Sequence, residues 1–367
     1  MPDPLTVFDA QLRVFGAPSR YIQGRGILDR IGGFAAQIGT SAVLVADVHI
    51  LPLVEDTLRQ SLDKAGVSLV ILPFEGQLGI KTAQRLSAAL GDRTPEIVVA
   101  TGGGRAIDAG KALADLRGLK LITVPTVASN DAPTSKNYVL YDENDILLEV
   151  RHLARNPNFV VVDTALLAGA PQSMFAAGLG DALSKKAEAL ACASGRGVTM
   201  FRARPTRLAP AIATLCHDTL VTHGVAAYNA AGSGEPNEAF DAAVEAMILM
   251  AGLGFESGGL SIPHALTRGL PLVPGVKAKP HGFQVAYGLL VHHQLLGEAL
   301  PPAIAALYRH TGLPLSLRAL AGNPVNQEHF LAVAEASIAV PHILNFPHPL
   351  TVDDLVEAMH TVEGEAA

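Results

Sequence analysis

Apolar residues in the first 165 or so positions fall into short unbroken runs, separated by stretches with apolar positions at helical spacing. TSAVLVADV, VSLVILPF, PEIVVATGGG, KLITVPTVAS and PNFVVVDTALL each read as a strand. Runs without polar alternation predict burial on both sheet faces, as in a parallel sheet covered by helices. LPLVEDTLRQSLDKAG, TAQRLSAALG and RAIDAGKALADLRG, lying between the strands, supply those helices. From about Pro171 the strand pattern nearly vanishes. MFAAGLGDALSKKAEALACA, RLAPAIATLCHDTLVTHGVAAYNAAG, NEAFDAAVEAMILMAGLGFESG and HGFQVAYGLLVHHQLLGEAL are Ala/Leu-rich with helical periodicity. The expectation is an α/β domain with a parallel sheet over residues 1–165, then an all-helical domain over 166–367. No internal repeat is visible.

Composition agrees with two domains in 367 residues. With 49% hydrophobic and 17% charged residues the chain has ample core material and is too apolar for disorder. A net charge of -7 without a concentrated basic block argues against a nucleic-acid partner. No apolar run reaches the length of a membrane span, and the opening MPDPLTVFDAQLRVFG does not read as a signal peptide. Cys192 and Cys216 are too few to staple a chain of this size and read as small buried hydrophobes in a reducing compartment. These features predict a soluble cytoplasmic protein.

Two places carry candidate chemistry. In VVATGGGRAIDAGKALAD a strand, three glycines and a helix follow one another. Gly102, Gly103 and Gly104 lack a Cβ that would keep phosphate oxygens from the backbone N–H groups, and the helix start adds unpaired donors. The pattern is neither a Rossmann fingerprint nor a P-loop, and a mere tight connection is the other reading. Asp47, ending the TSAVLVAD strand, is placed to accept hydrogen bonds from an adenosine ribose, or to serve as a loop or capping carboxylate. The second place is GLSIPHALTRGLPLVPGVKAKPHG, with His264 and His281. A catalytic metal needs about three protein ligands. Asp181, at the start of an apolar helix behind Gly178 and Gly180, is the third candidate, and an N-cap role would also explain it.

The blocks ATGGGRAIDAGKALAD, VPTVASNDAPTS, NPNFVVVDTALLAGAP, AAGLGDALSKKAEA, ESGGLSIPHAL and PHGFQVAYGLL occur in this order. Together they resemble the glycerol dehydrogenase branch of the iron-containing (group III) alcohol dehydrogenase family, over about residues 10 to 300. The resemblance implies the dehydroquinate-synthase-like fold, with the active site in a cleft between the domains. It implies metal ligands at Asp181, His264 and His281, with zinc the first choice of ion and iron the second. It implies NAD contacts at Asp47, Gly102, Gly103, Gly104, Arg105, Asp108, Thr126, Ser129, Ser135, Asn137 and Tyr141, and a substrate contact at Asp131. A homo-oligomer, dimer or octamer, is implied as well. Asp47 would repel a 2′-phosphate and so favours NAD over NADP.

Two departures bear on the substrate. Where the family continues its first histidine block as HAxHNG, this chain has HALTRG, with Thr267 and Arg268. Where a relay histidine commonly stands four residues before the second ligand, it has Lys277, followed by Lys279. Arg268 and Lys277 are therefore possible contacts for an acidic or phosphorylated substrate; the alternative is that they face solvent or pair with carboxylates. Asp131 would repel such a substrate, so a small polyol or diol is the first expectation. A 2-hydroxy acid, 2-oxo acid or glycerol 1-phosphate comes next, and a catalytically silent NAD-binding protein last. Dehydroquinate-synthase-like enzymes place a glutamate where this chain has Asp181.

Overall fold

A computed structural model describes residues 8–143 and 147–365 of the chain. Ten strands are present among them: β1 Asp9–Arg13, β2 Arg20–Gly24, β3 Ser41–Asp47, β4 Ser68–Phe74, β5 Ile97–Gly102, β6 Lys120–Pro125, β7 Asn137–Tyr141, β8 Leu147–His152, β9 Phe159–Asp163 and β10 Ala203–Arg204. Contacts divide the chain into two compact units, one of residues 17–171 with 230–244, the other of the N-terminal segment to Gly16 with 172–229 and 245–367.

The α/β unit is built on a six-stranded parallel sheet in the order β2-β9-β6-β5-β3-β4. Alternate residues of one strand enter opposite cores. Val43 and Val45 pack on one side with Val98 and Ala100, whereas Ala42, Leu44 and Ala46 pack on the other with Ile97 and Val99. Both faces are covered, which is why these strands carry no polar alternation. The helix Gly104–Arg117 lies so close on β5 that a Cβ on Gly110 would run into Ala100. Residues 230–244 join this unit through Gln23, whose Nε2 donates to Asp241 O at 2.9 Å, and through Gly232 N, which donates to Ala168 O at 2.7 Å. The β7–β8 hairpin is antiparallel and separate from the main sheet.

The other unit is helical, apart from the short parallel pair β1–β10. Its central packing is between the long helix Gln172–Ser194 and the helix His281–Leu295. Small residues let these two approach: a Cβ on Gly180 would strike Gly282 O, and one on Gly282 would strike Ala177 O. A π segment at Ala246–Met250 leads directly into the helix Ala251–Gly258, a local change of helical register. Cys192 and Cys216 are not disulfide-bonded and are fully buried in this unit. No described helix is long and apolar enough to cross a membrane.

Candidate active site

The glycine contact between the two long helices sets the geometry of the histidine site. Asp181 follows Gly180 and His281 precedes Gly282, so the close approach of the helices brings the two ligand candidates to one place. Asp181 lies well inside the helix Gln172–Ser194, not at its start, and so does not act as an N-cap. It is buried, on the face that meets His281–Leu295. His281 is the first residue of its helix, and His264 sits in the short helix Ile262–Leu266. One ligand atom from each of Asp181, His264 and His281 lies within 4.8 Å of the others, and the two imidazole centroids are 5.4 Å apart.

Beneath these side chains is a buried polar layer. Glu188 Oε2 accepts from His264 Nδ1 at 2.8 Å and from Ser184 Oγ at 3.0 Å. Its Oε1 accepts from the backbone N–H groups of Ser261 at 2.8 Å and His264 at 3.3 Å. With Nδ1–H given to Glu188, Nε2 of His264 faces Asp181, whose Oδ1 is 3.2 Å away. Lys185 Nζ donates to Asp181 Oδ1 at 2.8 Å and lies 3.1 Å from His264 Nε2. Burial raises Glu188, but the charge and hydrogen bond of His264, with Lys185, bring it down to about 2. Burial likewise raises Asp181, and Lys185 with His264 outweighs it, leaving that carboxyl far below its ordinary range. Burial lowers His264 and Lys185 opposes its protonation, yet Glu188 and Asp181 raise it to about 9. A carboxylate and two imidazoles, one of them held by the Glu188 carboxylate behind it, are the donor chemistry of a divalent-metal site, and the residues fit one.

The glycine turn lies at the carboxyl end of β5. Gly102 has φ 139°, outside the reach of most side chains, and an added Cβ would meet Ala106 Cβ at 2.7 Å and Asp47 Cβ at 3.3 Å. A Cβ on Gly104 would fall 2.7 Å from Asn130 Nδ2. Gly103 is the N-cap and has no side chain to cap the helix start. Thr126 N donates to Gly102 O at 3.1 Å, while its buried Oγ1 has no partner among the described residues. This bare backbone at a helix start fits a pyrophosphate. Asp47 Oδ1 accepts from His49 N at 2.8 Å, the loop role open to it from sequence, and ends β3 beside the turn. Burial pushes Asp108 up to about 6 against the pull of Lys111. Asp108 Oδ2 accepts from Val139 N at 3.0 Å. Lys111 Nζ donates to Ala132 O at 2.6 Å and Asn137 O at 2.5 Å, pinning the loop that carries Ser129, Asp131 and Ser135. Asn137 and Tyr141 are the two ends of β7, and Arg105 is exposed in the first turn of its helix. Arg268 and Lys277 are exposed in the helical unit.

A family model described as iron-containing alcohol dehydrogenase matches residues 18–164. The chain is similar to a glycerol dehydrogenase of Escherichia coli, at 34% identity over 352 residues and 95% of each protein. The chain belongs to the iron-containing alcohol dehydrogenase family, in its glycerol dehydrogenase branch. A second relative in sequence is a glycolaldehyde reductase of Halobacterium salinarum, 34% identical over 326 residues, 88% of this chain and 89% of that one. Among solved structures, a probable glycerol dehydrogenase from Sinorhizobium meliloti superposes with a TM-score of 0.89 at 31% identity, covering 97% of this chain and 99% of that one. Lys185, Glu188 and Asn130 went unread in the sequence. The signal for the first two was present: Asp181, Lys185 and Glu188 recur at i, i+4 and i+7 in a largely apolar helix.

Proposed function

We propose that the chain is an NAD-dependent alcohol dehydrogenase that oxidises a small polyol or diol such as glycerol, with a divalent ion, zinc in the first instance, held by Asp181, His264 and His281. The observation that carries this reading is the convergence of those three side chains within 4.8 Å. An ion bound there would act as a Lewis acid on the alcohol oxygen and make its proton easier to lose. A bound nicotinamide would take up the hydride.

The chain's own residues prepare that chemistry. Glu188 fixes the tautomer and orientation of His264, leaving Nε2 to face Asp181. The ionised Asp181 supplies an anionic donor without a proton to lose first. The glycine turn and the N-terminus of its helix would receive the pyrophosphate of NAD, with Asp47 assigned to the ribose and Asp131 to a substrate hydroxyl. The remaining NAD contacts, from Arg105 to Tyr141, are proposed on the family pattern.

Purified protein given zinc, NAD and a substrate panel tests the reading through the absorbance of reduced cofactor. Turnover of glycerol or propanediol should exceed that of 2-hydroxy acids and glycerol 1-phosphate; the reverse order overturns the polyol assignment. Silence with both cofactors bound would indicate a non-catalytic protein. The glycolaldehyde reductase relative favours a second reading, in which the same site runs toward reduction of a small hydroxyaldehyde. Supplying glycolaldehyde with NADH, and comparing its kcat/KM with that for glycerol and NAD, separates the two directions. Metal analysis of protein purified without added ions distinguishes zinc from iron.

A further inference from the structure

Lys185 is an unexpected occupant of the donor set. One helical turn past Asp181, it is 1% exposed, and its Nζ lies 2.8 Å from Asp181 Oδ1 and 3.1 Å from His264 Nε2. Those two atoms are 3.2 Å apart, so the ammonium closes a nearly equilateral triangle on them. Its Nζ is also 5.5 Å from the centroid of the Phe255 ring. The next residue, Lys186, is partly exposed and meets Asp218 at 3.3 Å, so burial is particular to position 185.

The contact has a stoichiometric consequence. A neutral imidazole that gives Nδ1–H to Glu188, the form that binds a metal, has one lone pair left, in the ring plane on Nε2. A lysine ammonium only donates, so Lys185 pairs with the Asp181 carboxylate and stands 3.1 Å from the nitrogen that His264 would offer a metal. A divalent ion coordinated by His264 Nε2 and Asp181 needs the same lone pair and the same carboxylate. Two cations a few ångströms apart also repel one another.

We propose that Lys185 is a built-in cation that holds the donor set together in the metal-free protein and must swing away before a divalent ion binds. The inference rests on the reading of Asp181, His264 and His281 as metal donors. It gives this chain a weaker metal affinity than the three donors alone would provide. It also gives a helical unit that keeps its fold when the metal is removed, because Asp181 and Glu188 are not left as uncompensated buried charges.

The test is zinc competition against a chromophoric chelator at one fixed pH, on chelator-stripped wild type and Lys185→Met, with thermal melting of the same samples. Methionine keeps most of the stem and removes the charge. The variant should bind zinc about tenfold or more tighter than wild type. When stripped it should melt lower than stripped wild type and recover with zinc. Equal or weaker zinc affinity in the variant overturns the inference while the metal reading stands. If neither protein binds zinc, the metal reading falls and takes the inference with it. If Lys185→Met cannot be recovered without metal, Lys185→Thr purified zinc-loaded replaces it. Slower zinc transfer to the chelator than from wild type supports the inference, and an equal rate overturns it.

Discussion

Glu188 accepts hydrogen bonds from two side chains and two backbone N–H groups while fully buried, and one of those donors is the imidazole assigned to the metal. Replacing it by glutamine in Glu188→Gln keeps the shape but loses the anion that fixes the His264 tautomer. Zinc affinity should fall by about 10–100-fold, read by the same chelator competition. His292 poses the opposite case. It is fully buried, neither ring nitrogen has a partner among the described residues, and burial holds it down to about 4. A histidine depressed on folding contributes stability above its ordinary value near 6.5 and loses it as pH falls from there to about 4. His292→Leu should flatten that part of the stability profile by up to about 3 kcal/mol, measured by urea unfolding at a series of pH values. Individual residues were unevenly legible. The ligand triad and glycine turn rested on ordered blocks, whereas Lys185 was hidden because a lysine in a helix is ordinarily a solvated one.

At the scale of elements, the decisive contact is the crossing of Gln172–Ser194 with His281–Leu295. A Cβ on Gly180 would also press on Ala286 Cβ at 3.0 Å, and Gly282 has no space at all above Ala177. Gly282→Ala should cost about 1–3 kcal/mol and weaken zinc binding together, because parting the helices parts Asp181 from His281. Gly364→Ala, where a Cβ meets nothing within 4 Å, is the control; it should stabilise by up to about 1 kcal/mol and leave zinc binding alone. Circular dichroism melts and zinc titration of both variants check this. The strands β3, β4, β5, β6 and β9 and the long helices were readable because their apolar periods are unbroken. The edge strand β2 (RYIQG), the β7–β8 hairpin and the pair β1–β10 were not. They lie at edges or outside the main sheet, where polar residues are tolerated and the apolar pattern thins out.

On the scale of the whole molecule, the candidate cofactor turn and the metal donors belong to different compact units. Asp181→Asn should therefore abolish metal-dependent turnover, by about a hundredfold or more, while the dissociation constant for NAD stays within about twofold. Turnover assays beside fluorescence titration of NADH check both parts. The change from α/β to helical pattern near Pro171 was legible. The membership of residues 230–244 in the α/β unit was not, because that allegiance rests on hydrogen bonds such as Gln23 to Asp241, made across more than two hundred residues.

Cys192 and Cys216 are the only thiols in the chain, and both are sealed inside the helical unit, with burial pushing Cys192 up to about 12. Native protein should thus resist a maleimide dye, and any labelling that does occur times the opening of one unit and is blind to the other. Saturating zinc should slow that clock. Filling the glycine turn with NAD alone should leave it running at its former rate.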